Sequence, residues 1–374
     1  MTLTRFADVI HLSTTRTADP TSAGIDRFVG LEHIEPENLH IRSWGNVADG
    51  TTFTNTFKRG QVLFGKRRAY QRKVAVADFD GVCSSDIYVF ESKDPNVLLP
   101  ELVPFILQSE GFYQYAVKTS AGSLSPRTNW THLANYEFPL PPVDEQRRIA
   151  DLLWAADDSL RKIEDLLDSL SQLKNSVAQS SFVITNERLE AYLADATVGI
   201  VVKPESLYEK SSDGFPVLMA ENVNNGNLSK EVIQRITSKA QEQYKKSKLK
   251  AGDVVVTRRG VNLGRAAVVD EFHAGWNTID LLIFKCAPNL LPDYLVGYLN
   301  SPIGQSLITA YSSGTAIPFL GINTIKKIPI SVPNLEKQQE IVNILRSVSE
   351  SENLANMHLI NTKKINNLLL NSYL

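Results

Sequence analysis

Cysteine is scarce in this sequence. Cys83 and Cys286 stand far apart in a chain of 374 residues, which argues against a disulfide scaffold and fits a reducing cytosol. The histidines His11, His33, His40, His132, His273 and His358 form no cluster at zinc spacing, with each other or with cysteine, so no metal site is legible. No apolar run approaches the ~18 residues of a membrane span. The N-terminal Met1-Thr2-Leu3-Thr4-Arg5-Phe6-Ala7-Asp8 lacks the apolar stretch of a signal peptide. The expectation is a cytoplasmic protein.

Catalytic signatures are missing too. There is no Asn-Pro-Pro-aromatic or Asp-Pro-Pro-Tyr tetrapeptide of the kind an amino-methyltransferase uses to hold its target nitrogen. No Gly-x-x-x-x-Gly-Lys-Ser/Thr loop is present to cradle nucleotide phosphates, and no Gly-x-Gly-x-x-Gly follows a strand. No convincing nuclease set of two acids and a lysine stands out. An excess of one charge sign is lacking as well. The formal net charge is -2, so composition alone points to no polyanionic partner. Hydrophobic residues make up 43%, enough for an ordinary core, and the length suits two or three domains.

What the sequence does contain is an internal repeat with an offset of 192 residues. Gly60-Gln61-Val62 recurs as Gly252-Asp253-Val254, Ala75-Val76 as Ala267-Val268, and Leu99-Pro100-Glu101 as Leu291-Pro292-Asp293. Ser120-Ala121-Gly122 recurs as Ser312-Ser313-Gly314, and Pro126 as Pro318. Pro141, Gln146, Ile149 and Leu153 return as Pro333, Gln338, Ile341 and Leu345. A constant offset over such a stretch implies two halves of like fold.

Each half predicts a mixed α/β globular part followed by a long helix. Strand-like runs cover residues 61–64, 73–76 and 87–90, and again 253–256, 266–269 and 281–284, on their β-branched and aromatic content. A helix is expected over 100–115 and its counterpart over 293–309. A proline-bearing strand, 138–142 or 328–333, closes each globular part. The division is a first globular domain over 1–142, a central helix over 143–182, a second globular domain over 183–333 and a C-terminal helix over 334–374. In the central helix Ile149, Leu153, Ala156, Leu160, Ile163, Leu167, Leu170, Leu173 and Val177 step by three and four, a heptad seam. Ile341, Leu345, Val348, Ala355, Leu359, Ile365 and Leu369 line the second, with Glu352 as an interruption. Two such helices most simply pack on each other as an antiparallel coiled coil, relating the halves by an approximate two-fold axis.

Local charge is less neutral than the total. Lys58, Arg59, Lys66, Arg67, Arg68, Arg72 and Lys73 share one acid-free stretch with Tyr70, and Lys245, Lys246, Lys248, Lys250, Arg258, Arg259 and Arg265 are opposed only by Asp253. Lys66-Arg67 aligns with Arg258-Arg259, so the cluster recurs at one place in the repeat. Such groups neutralise phosphates, and arginine reads guanine edges; the competing reading is a solvated charged face. A second candidate is the loop Gly122-Ser123-Leu124-Ser125-Pro126-Arg127-Thr128-Asn129-Trp130, where Arg127 and Asn129 could contact DNA, or which could be a fold-defining turn with Trp130 buried. Its counterpart, 314–319, is more apolar.

The stretch Leu63-Phe64-Gly65-Lys66-Arg67-Arg68-Ala69-Tyr70, with Lys73-Val74-Ala75-Val76-Ala77-Asp78-Phe79-Asp80-Gly81, resembles the target-recognition domains of type I restriction-modification specificity subunits. Pro139-Leu140-Pro141-Pro142-Val143-Asp144-Glu145-Gln146-Arg147-Arg148-Ile149-Ala150 is similar to that family's junction into its conserved helix, and 328–341 repeats it more loosely. The resemblance covers nearly the whole chain. It implies two target-recognition domains, each reading half of a bipartite, asymmetric double-stranded DNA site, and paired helices acting as a ruler. It also implies docking of two adenine methyltransferase subunits that carry S-adenosylmethionine, joined by a motor-nuclease subunit using ATP, with no cofactor, metal or catalytic residue on this chain. A specificity chain of a related combined methyltransferase-nuclease system, or a methyltransferase scaffold that reads no DNA, are the other readings.

Overall fold

The computed structural model describes residues 2–201, 205–312 and 318–373. The chain divides into two compact units, Met1–Asp165 with Asn356–Leu374, and Leu166–Ala355.

The first unit is built on a four-stranded antiparallel sheet in the order Ile10–Ser13, Ile87–Ser92, Val62–Gly65, Val74–Val76. The second repeats that order with Leu193–Val198, Leu281–Cys286, Val254–Thr257 and Ala266–Val268. The central strands, Val62–Gly65 and Val254–Thr257, are buried at every position, which explains their continuous apolar character. A smaller mixed sheet stands beside each. In it Arg27–Val29 runs parallel to Gly81–Cys83, as Phe215–Leu218 does to Asn277–Thr278. The repeated Gly60 and Gly252 precede the central strands with φ of 89° and 87°, and their amides donate to Ala77 and Val269. Glycine takes that left-handed conformation without strain, which accounts for its return in both halves.

Two expectations need correction. The register is not constant at 192. Val62 pairs with Phe90 and Val254 with Phe284, an offset of 194 at that strand. The second unit has a longer lead into the strand and a shorter exit from it. The helices expected over 100–115 and 293–309 are also each broken in two. Val103–Gln108 stops at Ser109, and Pro292–Asn300 stops at Ser301. Both serines are extended, and their hydroxyls cap the next helix by accepting from Phe112 N and Gly304 N. In the second unit Pro302 also disfavours a helical conformation at the residue before it.

The long helices are Val143–Ser181 and Leu335–Tyr373. In the first unit Ile149 and Leu153 share a core with Leu370, against which Leu369 and Tyr373 pack. In the second, Ala178 and Phe182 share one with Ile341 and Val342, and Leu345 packs on it. Leu160, Ile163, Leu167, Leu170 and Leu359 are half-buried, and Val348 and Ala355 are buried. Leu173 and Ile365 depart from the expected seam, 48% and 54% exposed. Beside Leu173, Lys174 reaches across to the other long helix, and its Nζ lies 2.6 Å from Glu352 Oε2. The apparent interruption at Glu352 is therefore one half of an ion pair.

Gln146 fixes the first helix to its globular part. Wholly buried, its Oε1 accepts from Leu99 N at 2.9 Å, and its Nε2 donates to Val97 O at 2.8 Å and Pro141 O at 2.9 Å. Gln338 repeats this in the second unit, accepting from Leu291 N at 2.8 Å and donating to Asn289 O at 2.8 Å and Pro333 O at 2.7 Å. Gln146→Ala removes three partners at once and leaves buried groups unpaired, so stability should fall by about 1–3 kcal/mol. Gln146→Glu should be no better, because a carboxylate cannot donate to the two carbonyls. Urea unfolding of each variant checks this; an unchanged midpoint would show the junction to be held by other contacts.

Candidate nucleic-acid interface

In the first unit the basic cluster lies on the turn after the buried strand Val62–Gly65. Two neighbouring segments hold it. Arg68 N donates to Pro126 O at 2.7 Å and Thr128 N to Lys66 O at 2.9 Å, zipping the turn to the 122–129 loop. Arg67 Nε donates to Ser125 Oγ at 2.6 Å, and its guanidinium lies 3.5 Å from Asp86. Arg127 reaches the same carboxylate at 3.2 Å. The Lys66 ammonium sits over the Tyr88 ring at 4.8 Å. Arg72 pairs with Glu110 and stacks on Tyr113, and this holds the Glu110 carboxyl below its ordinary range. Lys73 Nζ donates to Leu31 O at 2.6 Å. Arg68 and Tyr70 are exposed.

The second candidate loop divides into two functions. Its start, 122–126, faces solvent or the basic turn. Its end is structural: Asn129 Oδ1 caps the short helix Trp130–Leu133 through Thr131 N, and the Trp130 ring packs on Phe6 and Phe90. Asn129 is exposed but already serves the fold. Of the counterpart loop, 313–317 lies outside the described residues.

The second unit repeats the device with different side chains. Asp280, immediately before the strand Leu281–Cys286, lies 3.5 Å from Arg258 and 3.4 Å from Arg259. Both guanidiniums stack on Phe319, the residue that matches Arg127. Arg258 is only 8% exposed. Burial pulls its pKa below the usual arginine range, against the attraction of Asp280. Its Nε and Asp280 Oδ1 are buried without hydrogen-bond partners among the described residues. Arg265, half-buried, leads into Ala266–Val268. Lys248 is exposed on a separate turn, with its backbone bridged to Asn277. The structure thus brings Lys66, Arg67, Arg68 and Arg127 together in one unit and Arg258 and Arg259 in the other. Lys73 and Arg72 are directed into the protein.

Sequence reading missed Asp86 and Asp280. Each precedes the strand next to the central one and gathers two arginines. The change of offset hid their equivalence, because Asp86 and Asp280 do not align at 192.

The sequence model of the type I restriction modification DNA specificity domain matches residues 12–172 and 202–365. The chain belongs to this family. Among curated relatives it is 29% identical over 164 residues, 40% of this chain, to the type I restriction enzyme EcoDI specificity subunit of Escherichia coli. It is 22% identical to the MjaVIII specificity subunit of Methanocaldococcus jannaschii, covering 96% of this chain and 84% of that one. The alignments span 35% and 52% of the length of the E. coli EcoDI and EcoBI specificity subunits. The fold is similar to that of the type I restriction-modification S subunit from M. genitalium, with a TM-score of 0.60 at 15% identity over 99% of this chain and 95% of that one. A chain from a structure of the type I R-M system gives 0.57 at 19% identity, over 99% and 96%.

Within this specificity-domain frame, the two arginines on Asp280 separate in consequence. Arg258→Ala opens space beside Phe319 and deprives a largely buried carboxylate of one partner, so stability should fall by about 1–3 kcal/mol. Arg259→Ala removes a half-exposed group and should change stability by less than about 1 kcal/mol. Thermal unfolding of the two variants checks the order; equal effects would contradict it.

Proposed function

We propose that this chain is the sequence-reading subunit of a type I restriction-modification complex. Each unit's basic turn reads one half of a bipartite, asymmetric site in double-stranded DNA. The observation that carries this is the recurrence of one device in two units of low mutual similarity: a basic turn at the end of a buried strand, held by an acid that gathers two arginines. A merely solvated face needs no such holding. In this reading the residues 1–142 and 183–333 form the two target-recognition domains, and the helices 143–182 and 334–374 pair as an antiparallel coiled coil about an approximate two-fold axis, setting the unread spacer.

The chain itself then carries no catalytic site, metal or cofactor. Two adenine methyltransferase subunits bring S-adenosylmethionine, and a motor-nuclease subunit brings ATP, all in the cytoplasm. Exposed apolar side chains on the long helices support a docking role: Leu166 and Leu173 on the first, and Leu354, Met357 and Leu368 on the second. Apolar groups set along a helix face to solvent favour a covering partner. No helix among the described residues is long and apolar enough to cross a membrane.

Sequencing of methylated adenines, with and without this gene, tests the function. A bipartite motif should vanish on deletion; an unchanged methylome would leave only the scaffold reading. The ruler is tested by length. Four residues inserted after Leu170 add about 6 Å and just over a full turn, at ~1.5 Å per residue and ~3.6 residues per turn, a stutter that paired helices accept. DNA rises ~3.4 Å per base pair, so the spacer should lengthen by one or two base pairs with both half-sites unchanged. Two inserted residues rotate the seam by roughly 200° and should abolish assembly. An active four-residue variant with the original spacer would remove the ruler role.

A further inference from the structure

Most cations of the first unit's turn already have a protein partner. Lys66 lies on Tyr88, Arg67 and Arg127 on Asp86, Arg72 on Glu110 and Tyr113, and Lys73 on the Leu31 carbonyl. Arg68 differs. Its side chain is exposed and, among the described residues, has no partner.

Its backbone is unusual as well. Arg68 has a φ of 54°, in the left-handed region that side chains with a Cβ rarely adopt. The matching position in the second unit is Gly260, with a φ of 82° and open space where a Cβ would stand. Glycine would relieve the strain at no cost in packing, yet the first unit carries arginine. Hydrogen bonds on both sides enforce the conformation: Arg68 N to Pro126 O at 2.7 Å, and Gln71 N to Arg68 O at 2.8 Å. Strain held in place by its surroundings is characteristic of functional sites. Beside Arg68 stand Tyr70, 54% exposed, and Leu124 on the zipped loop, 92% exposed.

A phosphate is a tolerant target that a mobile lysine can meet. An arginine offers a planar fork that matches the O6 and N7 of guanine in the major groove, and a fixed backbone sets the point from which that fork reaches. We propose that Arg68 reads a guanine in one half-site, while Lys66, Arg67 and Arg127 position the turn that carries it. The second unit has no side chain at this place, so its half-site is read differently here. This rests on the DNA-reading function proposed above.

The test uses the full chain assembled with its methyltransferase. Its probes are duplexes bearing the genomic methylation motif and each single-base variant of it. Arg68→Gly installs the second unit's own residue, so its melting temperature should be equal or higher. Discrimination should fall by on the order of 5- to 150-fold at one guanine of one half-site, the range for a bidentate base contact, with the other half-site unaffected. Arg68→Lys should show the same loss of discrimination with the salt dependence of binding kept. An unchanged base profile in Arg68→Gly overturns the proposal. So does a uniform loss at every position with a salt slope smaller by about one, the signature of a phosphate contact. A wild-type complex with no base preference would instead overturn the DNA-reading function itself.

Discussion

The structure depends on one glutamine in each unit. The exit from each globular part is rich in proline, which supplies carbonyls but no amide donors. Pro141 and Pro333 would leave their carbonyls unpaired in a dry junction without the Nε2 groups of Gln146 and Gln338. The same side chains also bind the segment ahead of the broken helix, through Leu99 and Val97 or Leu291 and Asn289. Three chain segments therefore meet at one amide. Its donors and acceptor are distinct, so it fits in one orientation only. In the first unit further ties follow up the helix: Trp154 Nε1 to Glu101 O at 3.0 Å, His40 to Asp157 at 2.6 Å and Arg42 to Glu164 at 2.7 Å. Within each unit, the direction of the helix is thereby fixed relative to the strand that ends in the basic turn.

A frame held in this way allows the tips to change. Residue 127 is arginine and its counterpart, Phe319, is aromatic, yet both sit against the basic turn through a backbone bridge, to Arg67 and to Arg259. Tyr88 supplies the ring under Lys66; Phe319 supplies it under Arg258 and Arg259. The geometry is kept while the chemistry shown to solvent is replaced. Stability comes mainly from the buried strand and the glutamine junction, so a substitution at an exposed tip residue such as Arg68 or Arg259 has little effect on folding, whereas the buried Arg258 belongs to the frame. That separation suits the DNA-reading role proposed above, in which contact residues change without a new fold each time.

Much of this was legible in the sequence, for definite reasons. The landmarks that recur are the residues with strict demands: Gly60 and Gly252 for a left-handed turn, Gln146 and Gln338 for three buried hydrogen bonds, and apolar residues of the central strands. What was hidden lay where tertiary context decides. Ser109 stands inside a run that reads as one helix on its apolar pattern, and only its capping bond to Phe112 reveals the break. Leu173 and Lys174 are adjacent, and hydropathy alone assigns the leucine to the seam. The reach of Lys174 across the helices follows from a carboxylate 178 residues away. Arg258 looked like a surface cation, although Asp280 and Phe319 bury it. Asp86 and Asp280 escaped notice because a two-residue difference in one connection broke the repeat between landmarks.

The Lys174–Glu352 pair bears on what the helices can specify. Its side chains are 41% and 21% exposed, so the pair contributes under about 1 kcal/mol. An apolar pair at that level would be more stabilising. A uniform apolar seam, however, accepts a slip of one heptad with little penalty, because each leucine finds another. With Lys174 and Glu352 in the seam, a slip sets each charge against apolar neighbours, and an unpaired charge there costs more than the pair itself contributes. The pair therefore discriminates against wrong registers more than it stabilises the right one. A polar pair away from both glutamine junctions thus favours a single register more than it adds stability.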